Sequence, residues 1–434
     1  MAPDAIRPIL SGSMHPQPAQ PGGRAKTWPI TLNLLTIALV GGAAGAPIVG
    51  ALRENVQESY DVPFWAVGVA VGVLGAAAGA AGLVVTSLLR RVGRLQFVRA
   101  GVATFLLGFV VLWRVPAGPA PLGASSIALW MLAAGWFLAT FGRGLTVVSN
   151  AIFTDLWAHR PHTGVILLHA TNAVGKLAAP GVALALLALV GTGAVQPNAG
   201  VYSAVLVVLL VGAIAWPKSG VAALNVPADR ARRPGPSILR HGLFWLICVE
   251  FVFISGSEAG VASILASFVE KQRVPAWGMS ARGWSQVVLA AMQAGVLSGR
   301  LIGVWASGRF GEKPIIVACL LCALAAVPTA LVASPIVYAP AAMVLGVAFS
   351  AVWPAHFSLA ARHFPHDKTI LAMGAALGTL VGVNGFVLLA SLIGNAPHHL
   401  PWALMASTAG IAPYALTLRI VWWRREAPGQ FERR

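Results

Sequence analysis

Residues 142–180 read GRGLTVVSNAIFTDLWAHRPHTGVILLHATNAVGKLAAP, and this stretch decides how the rest of the chain is interpreted. The pattern predicts the end of one membrane-spanning helix, a short polar turn at residues 155–163, and most of the next helix. A helix in hydrocarbon carries an arginine or a lysine only where that charge has a role or a partner, yet this hairpin contains Arg143 and Lys176. Each lies about 13 residues from the turn, so at 1.5 Å per residue both reach a depth of roughly 20 Å. Two cations at one depth on adjacent helices indicate a polar cavity inside a helix bundle.

The composition is that of a membrane protein with many spans. Of 434 residues, 57% are hydrophobic and only 10% are charged, with a mean hydropathy of +0.78. A soluble protein of this length carries far more charge. The net charge of +17 does not indicate nucleic-acid binding, because the basic residues lie in short loops between apolar runs. Cys319 and Cys322 form C-x-x-C in an apolar run with no further Cys or His nearby, so we interpret them as packing residues and expect no metal and no cofactor.

Twelve apolar runs are long enough to cross a bilayer, so the predicted fold class is an all-α integral membrane protein with twelve transmembrane helices. The runs cover residues 28–49, 62–89, 97–113, 125–156, 163–190, 201–216, 243–268, 284–306, 315–332, 338–361, 369–393 and 402–423. The polar, basic segment 217–241 separates six runs from six and is predicted to be a flexible cytoplasmic linker. The two six-helix halves are then residues 27–216 and 242–423, flanked by a disordered cytoplasmic tail at 1–26 and a second cytoplasmic tail at 424–434.

The distribution of Lys and Arg predicts the orientation. With the N-terminus inside, 22 basic residues fall on the cytoplasmic side and 5 on the outer side, while Arg143, Lys176 and Arg300 lie within helices. Because cytoplasmic loops are enriched in Lys and Arg, we predict that both termini are cytoplasmic. The expected location is a bacterial inner membrane, where the chain would be a multi-pass monomer surrounded by the lipid bilayer.

The two predicted halves repeat each other, which makes them pseudo-symmetric. The sequence RVGR at 91–94 follows the second run, and RFGEK at 309–313 follows the eighth. Gly142 and Gly346 are 204 residues apart (142 to 346), and Pro161 and Pro365 have the same separation. Duplicated six-helix halves are typical of secondary transporters, whose binding site lies between the halves near the middle of the bilayer.

These features resemble the major facilitator superfamily, in which the loop after the second helix has the pattern G-x-x-x-D-R-x-G-R. Residues 91–94 match the latter half of this pattern, with Arg90 where the aspartate would stand. The second copy, at 299–313, is fuller and has Gly308 in place of the aspartate. The resemblance covers the whole chain and implies a transporter built from two six-helix halves.

A narrower resemblance, to the fucose-permease-like branch of sugar:proton symporters, rests on three stretches. They are GxG…N…LLHAxNAxG…P at 142–180, SGSE at 255–258 and GVAFSAVWPAHFSLAARHFP at 346–365. Members of that branch often carry acidic residues in the first and fourth helices that take part in proton coupling. Here run 28–49 has no acid, and the fourth run offers Arg143 instead. This departure favours an anionic solute over a neutral sugar.

The candidate substrate-binding residues share a depth or a helix face with the two cations. Glu258 lies about 15 residues into the seventh run, roughly 22 Å deep and level with Arg143 and Lys176. We predict that Glu258 pairs with one of these cations or carries the coupling proton, because low dielectric favours a protonated carboxyl and a nearby cation opposes it. A salt bridge that only neutralises charge between the halves is the alternative. The other candidates, for which helix–helix hydrogen bonding is the alternative, are Asn150, His169, Asn172 and Gln293, with Trp353 and Asn384 as further positions.

A cytoplasmic gate is predicted from the loop motifs and the inner ends of the helices. Asp155, at the end of the fourth run, could pair with Arg91, with Arg94 or with a basic residue of the other half, or could be a solvated charge at a helix end. Arg300 precedes the second loop motif and is interpreted as a cytoplasmic latch residue. The full set of gate candidates is Arg91, Gly93, Asp155, Arg300, Arg309 and Gly311.

The predicted function is secondary active transport of a small polar or anionic organic solute, such as a sugar, a sugar acid or a carboxylate. Coupling to protons and alternating access of two rocking halves are expected. The chain contains no Walker A sequence, so ATP is not the direct energy source. Export of a metabolite or drug and a non-transport membrane assembly factor are the alternatives. An enzyme is not expected, because no cluster of His or carboxylate residues has metal or acid–base spacing.

Overall fold

Helices make up nearly all of the described chain in this computed structural model. The structure describes residues 23–43, 94–114, 122–157, 161–190, 238–272, 277–310, 337–350, 352–364, 368–394 and 400–417, with scattered single positions between 65 and 77 and between 316 and 321. A helix satisfies its own backbone N–H and C=O groups, which lipid cannot do. Long apolar runs of this kind are therefore stable in a bilayer only as helices or within closed barrels.

The helices of the described residues follow the predicted runs to within a few positions. Six spans among the described residues are long and apolar enough to cross a membrane. Runs 62–89, 201–216 and 315–332 lie mostly or wholly outside the described residues, so the count of twelve spans stays a prediction. The helices are Gly23–Ala43, Arg94–Trp113, Leu122–Thr146, Val148–Leu156, Pro161–Val190, Gly242–Lys271, Ala281–Phe310, Tyr338–Ser350, Val352–His363, Lys368–Ile393, Leu400–Ala409 and Ile411–Thr417, with a 3₁₀ turn at Ile238–Arg240.

The ends of the chain and the predicted linker are covered only in part. The first helix begins at Gly23, four residues inside the segment 1–26 that the sequence predicts to be a disordered tail. Residues 1–22, most of the linker 217–241 and the tail 424–434 lie outside the described residues. The predicted division of the chain into these segments therefore stays a prediction.

One of the predicted runs is interrupted, at Val147. Run 125–156 forms helices Leu122–Thr146 and Val148–Leu156 on either side of this residue. Run 338–361 is described as helices Tyr338–Ser350 and Val352–His363, and residue 351 lies outside the described residues.

A side-chain hydrogen bond lies beside the interruption at Val147, and the second half contains its counterpart 204 residues later (146 to 350). Thr146 Oγ1 donates to the Arg143 carbonyl at 2.7 Å, and Ser350 Oγ donates to the Val347 carbonyl at 2.7 Å. A hydroxyl that binds a carbonyl of the preceding turn competes with the backbone ladder and bends the helix. In the second half, Pro354 also has no N–H to donate to the carbonyl four residues earlier.

Each half has its own hydrophobic core. Buried side chains of the N-terminal half cluster around Phe105 and Phe153, and those of the C-terminal half cluster around Phe251 and Trp284. Helix Gly242–Lys271 is the most deeply buried of the six long spans. In its apolar 18-residue segment, 83% is buried inside the protein. This burial gives the helix a central position, beside the cavity described below.

A pair of glycines lets two helices of the C-terminal half cross at close range. Gly295 lies on helix Ala281–Phe310 and Gly346 on helix Tyr338–Ser350. A Cβ added to Gly346 would overlap the carbonyl oxygen of Met292, and one added to Gly295 would overlap that of Met343. Small residues at such crossings allow the backbones to approach and gain van der Waals contact.

We expect Gly346→Ala to lower the stability of the protein, because the added methyl group must push two backbones apart. Overpacking of this kind costs about 1–3 kcal/mol. The measurement is the unfolding temperature of the detergent-purified protein. Gly385→Ala is the matched control, since a Cβ there meets no atom of the described residues within 4 Å. Equal unfolding temperatures for the two variants would contradict the close crossing.

Candidate functional site

A central cavity of about 170 Å³ lies between the two halves. A volume of about 150 Å³ is enough to hold one benzene-sized molecule, so the cavity in this conformation fits a small solute. Its walls contain every residue that the sequence predicts to bind substrate, namely Arg143, Asn150, His169, Asn172, Lys176, Glu258 and Gln293. The structure therefore brings these seven residues together, while their role in binding stays a prediction.

An ion pair joins the two halves across this cavity. Lys176 lies on helix Pro161–Val190 of the N-terminal half, and Glu258 lies on helix Gly242–Lys271 of the C-terminal half. Lys176 Nζ donates a hydrogen bond to Glu258 Oε1, with relative side-chain exposures of only 13% and 12%. A pair this buried loses most of its hydration and depends on the partner charge for stabilisation. Separating the halves at this level therefore requires something else to neutralise each charge.

Two arginines add further positive charge to the same cavity. Arg143 and Arg300 both line it, and both interact electrostatically with Glu258. Arg300 Nη1 donates a hydrogen bond to the backbone carbonyl of His169, which belongs to the other half. Its Nε has no hydrogen-bond partner among the described residues. Arg300 is thus a cavity residue and a second polar contact between the halves.

The position of Arg300 differs from the cytoplasmic latch expected from the sequence. Its side chain is 5% exposed and lines the central cavity, because ten residues of helix still separate it from the end at Phe310. Among the other gate candidates, Asp155 and Arg309 lie in the last turns of helices Val148–Leu156 and Ala281–Phe310, where only the backbone is described. Arg91, Gly93 and Gly311 lie outside the described residues, so a cytoplasmic gate stays a prediction.

The face of helix Pro161–Val190 that carries Lys176 also carries His169 and Asn172, as their spacing predicts. Asn172 lines the cavity, but its Nδ2 donates to the Ala38 carbonyl at 3.0 Å. The amide thus also holds the first helix against this one, which is the alternative role considered from the sequence. The His169 ring lies 4.3 Å from the Trp353 ring, centroid to centroid, and its Nε2 has no hydrogen-bond partner among the described residues.

The C-terminal half contributes an aromatic and hydroxyl-bearing wall. Trp353 Nε1 donates to Thr379 Oγ1 at 2.9 Å, and Ser255 Oγ donates to the same oxygen at 3.0 Å. These bonds fix the indole of Trp353 beside the cavity that all three residues line. Asn384, the other further candidate, also lines the cavity and donates to the Leu380 carbonyl of its own helix at 2.6 Å.

Sequence reasoning missed Thr379, and the sequence carries no signal that would have found it. Threonine in an apolar helix commonly donates to the carbonyl four residues earlier, and Thr36, Thr104 and Thr171 do so here. Thr379 instead accepts bonds from two other helices. Only the packing of the helices distinguishes it from the other three threonines.

A second buried polar cluster lies in the C-terminal half, away from the residues that line the cavity. Glu250 Oε2 lies 2.9 Å from His356 Nε2, and both side chains are fully buried. Tyr414 Oη lies 3.3 Å from His356 Nδ1 on the other side of the ring. The cluster holds three helices of this half together around a histidine ring.

Among the described residues, no group of three or more His, Cys, Asp or Glu side chains is arranged to hold a metal ion. Cys319 is buried within the hydrophobic core of the C-terminal half, and Cys322 lies outside the described residues. The burial of Cys319 agrees with the packing role expected for it.

Comparisons with known proteins identify this architecture as that of a membrane transporter. The sequence model of the Major Facilitator Superfamily matches residues 32–389. The chain therefore belongs to the Major Facilitator Superfamily. No curated protein sequence matches the chain with significance.

Solved structures of similar fold include several transporters. The crystal structure of the E. coli fucose:proton symporter FucP has a TM-score of 0.60 and 16% identity, over 90% of this chain and 98% of that one. The xylose transporter XylE from E. coli, in a partially occluded inward-open conformation, has a TM-score of 0.68 and 14% identity, over 93% and 100% of the two chains. The nucleoside transporter NupG has a TM-score of 0.62 and 10% identity, over 90% and 99%. Identities this low establish a common fold and no common substrate.

Proposed function

We propose that this protein is a secondary active transporter that moves a small polar or anionic organic solute by alternating access, coupled to protons. The observation that carries the proposal is the cavity between the halves, in which Arg143, Lys176, Arg300 and Glu258 line one small volume. Charges at this depth are costly unless they serve a pathway or a bound ligand. Since the cations outnumber the carboxylate, an anion such as a sugar acid or a simple carboxylate is favoured over a neutral sugar.

The ion pair between Lys176 and Glu258 supports coupling of the solute to a proton. A solute carboxylate that binds Lys176 competes with Glu258 for the same cation. Once Lys176 is engaged by the solute, the Glu258 carboxyl loses a stabilising charge, and burial then favours its neutral, protonated form. Binding of the solute and binding of the proton then favour each other. Two of the solved transporters of similar fold, those for fucose and xylose, are described as proton symporters.

The predicted orientation belongs to the same proposal. Twelve spans with both termini in the cytoplasm of a bacterial cell are supported by the excess of 22 internal over 5 external basic residues. Rocking of the two halves about the central cavity would expose the solute to each side in turn. The proposed working unit is a single chain in the lipid bilayer.

Reconstitution into proteoliposomes tests this function. With an acidic exterior, we expect labelled carboxylates or sugar acids to accumulate inside well above their level in liposomes without protein. Collapse of the pH gradient by a protonophore should remove the accumulation. A thermal-shift screen of the same compounds measures binding independently of transport. If no compound moves in either direction and none changes the unfolding temperature, the transporter proposal is wrong for these solutes.

A further inference from the structure

The charges that line the cavity do not balance. Among the described lining residues, three are cationic (Arg143, Lys176 and Arg300) and Glu258 alone is acidic. The apolar runs that are mostly undescribed, 62–89, 201–216 and 315–332, contain no Asp or Glu in their sequences. Those runs therefore cannot bring a further carboxylate to the cavity. The described lining residues therefore carry a formal charge of +2 (three cations and one anion) when Glu258 is ionised.

The other acids of the predicted spans are already accounted for. Glu250 is fully buried and paired with His356, outside the set of residues that line the cavity. Asp155 lies in the last turn of its helix, about 18 Å along the helix axis from Arg143 at 1.5 Å per residue. Neither residue supplies the missing negative charge at the cavity wall.

The excess charge resides on the two arginines. Lys176 and Glu258 form an ion pair with each other, whereas neither Arg143 nor Arg300 forms one with any residue that the structure describes. Arg300 uses Nη1 for the His169 carbonyl, which is a neutral acceptor. A buried guanidinium is stabilised best by a carboxylate or phosphate, which accepts several of its N–H groups at once. The two arginines also come from opposite halves, so one ligand bound to both would bridge the halves.

We propose that the transported solute is a small dianion that binds Arg143 and Arg300 together. This inference rests on the proposed transport of an anion and specifies the charge of that anion. A short dicarboxylate and a phosphate monoester both supply a charge near −2 at neutral pH. Either one would bring the cavity close to neutrality.

The neutral part of the solute would contact Gln293. This side chain is 1% exposed and lines the cavity, yet neither its amide oxygen nor its amide nitrogen has a hydrogen-bond partner among the described residues. Gln293 precedes Arg300 by seven residues, two turns of one helix, so both side chains lie on the same face. A buried amide whose oxygen and nitrogen both lack hydrogen-bond partners is costly unless a ligand or water supplies them. A hydroxyl group of the solute can donate to the amide oxygen and accept from the amide nitrogen.

Binding to the purified wild-type protein tests the charge directly. Four probes of similar size, namely succinate, glycerol 3-phosphate, butyrate and glycerol, are compared by isothermal titration calorimetry at pH 7 and low ionic strength. We expect at least one dianion to bind ten-fold or more tightly than butyrate and glycerol. Preference for succinate over glycerol 3-phosphate identifies a dicarboxylate, and the reverse order identifies a phosphate ester. Equal affinity for butyrate and both dianions overturns the dianion proposal but leaves an anion transporter. Absence of binding by all four probes counts against both proposals.

Variants at Arg300 test whether the arginines cause the preference for a dianion. Arg300→Gln is expected to reduce the ten-fold preference for the dianion to less than about two-fold, and Arg300→Lys is expected to keep most of the preference. The matched control is Arg282→Gln on the same helix, where the guanidinium Nε lies 2.9 Å from Glu270 outside the cavity. An undiminished preference in Arg300→Gln overturns the assignment. If that variant does not fold, the wild-type comparison of the four probes still decides the charge of the solute.

Discussion

Lys176→Ala is expected to reduce uptake to less than about one hundredth of the wild-type rate while the protein is still expressed. Removing one partner of a buried ion pair leaves the other charge uncompensated, which costs about 3–5 kcal/mol of stability. Among the described residues, the carboxylate of Glu258 would keep Arg143 and Arg300 as nearby cations. These are the groups proposed to hold the solute, so Glu258 would then compete with it. Arg143→Ala is expected to cause a similar loss of uptake. The measurement is the initial rate of solute uptake per molecule of protein in proteoliposomes.

Two comparisons separate a role in transport from a role in folding. The double variant Lys176→Ala with Glu258→Ala removes both charges of the pair, so it should recover stability without recovering uptake. Arg282→Ala removes a cation that is 28% exposed and paired with Glu270, and it should leave uptake near the wild-type rate. If Lys176→Ala and Arg143→Ala both fail to express, the ion pair serves to hold the halves together, and the transport role assigned to these cations is wrong.

Glu258→Gln is expected to abolish the dependence of solute accumulation on the pH gradient while exchange of solute across the membrane continues. The amide can still accept a hydrogen bond from Lys176, so the local structure is largely retained, but it cannot bind or release a proton. In the wild-type protein an acidic exterior should raise accumulation inside. In the variant the same gradient should have no effect, and counterflow of labelled solute at equal pH should persist. Both quantities are measured on the same proteoliposomes.

Glu270→Gln is the control for this experiment, because Glu270 pairs with Arg282 and does not line the cavity. It should show the wild-type dependence on the pH gradient. If Glu258→Gln retains a full response to the gradient, Glu258 does not carry the coupling proton.

Much of the fold could be predicted from the sequence because lipid imposes simple rules. The predicted run 163–190 corresponds to helix Pro161–Val190, and run 369–393 corresponds to helix Lys368–Ile393. Hydrophobicity and length determine such spans, and neither depends on tertiary contacts. The interruption at residue 147 was missed because a single hydroxyl bonded to a carbonyl leaves the apolar pattern unchanged.

The location of the cavity residues could also be predicted, because depth in the bilayer follows from counting residues along a helix. That count predicted one level for Arg143, Lys176 and Glu258, and the structure has all three lining one cavity. It could not say which cation pairs with Glu258, because the choice depends on how the helices are rotated about their axes. The sequence analysis predicted Arg300 to lie closer to the cytoplasm than the structure has it. The reason is that the second loop motif was taken to include residues of the preceding helix.

The interruption beside Arg143 also has a mechanical consequence. A continuous helix behaves as a stiff rod, so a force at its cytoplasmic end would move every side chain along its length. Here the helix is interrupted one turn after the buried Arg143. The nine-residue piece Val148–Leu156 is connected to the preceding helix through Val147. A displacement of that piece is therefore not transmitted to Arg143 through a continuous helix, and Arg143 interacts electrostatically with Glu258.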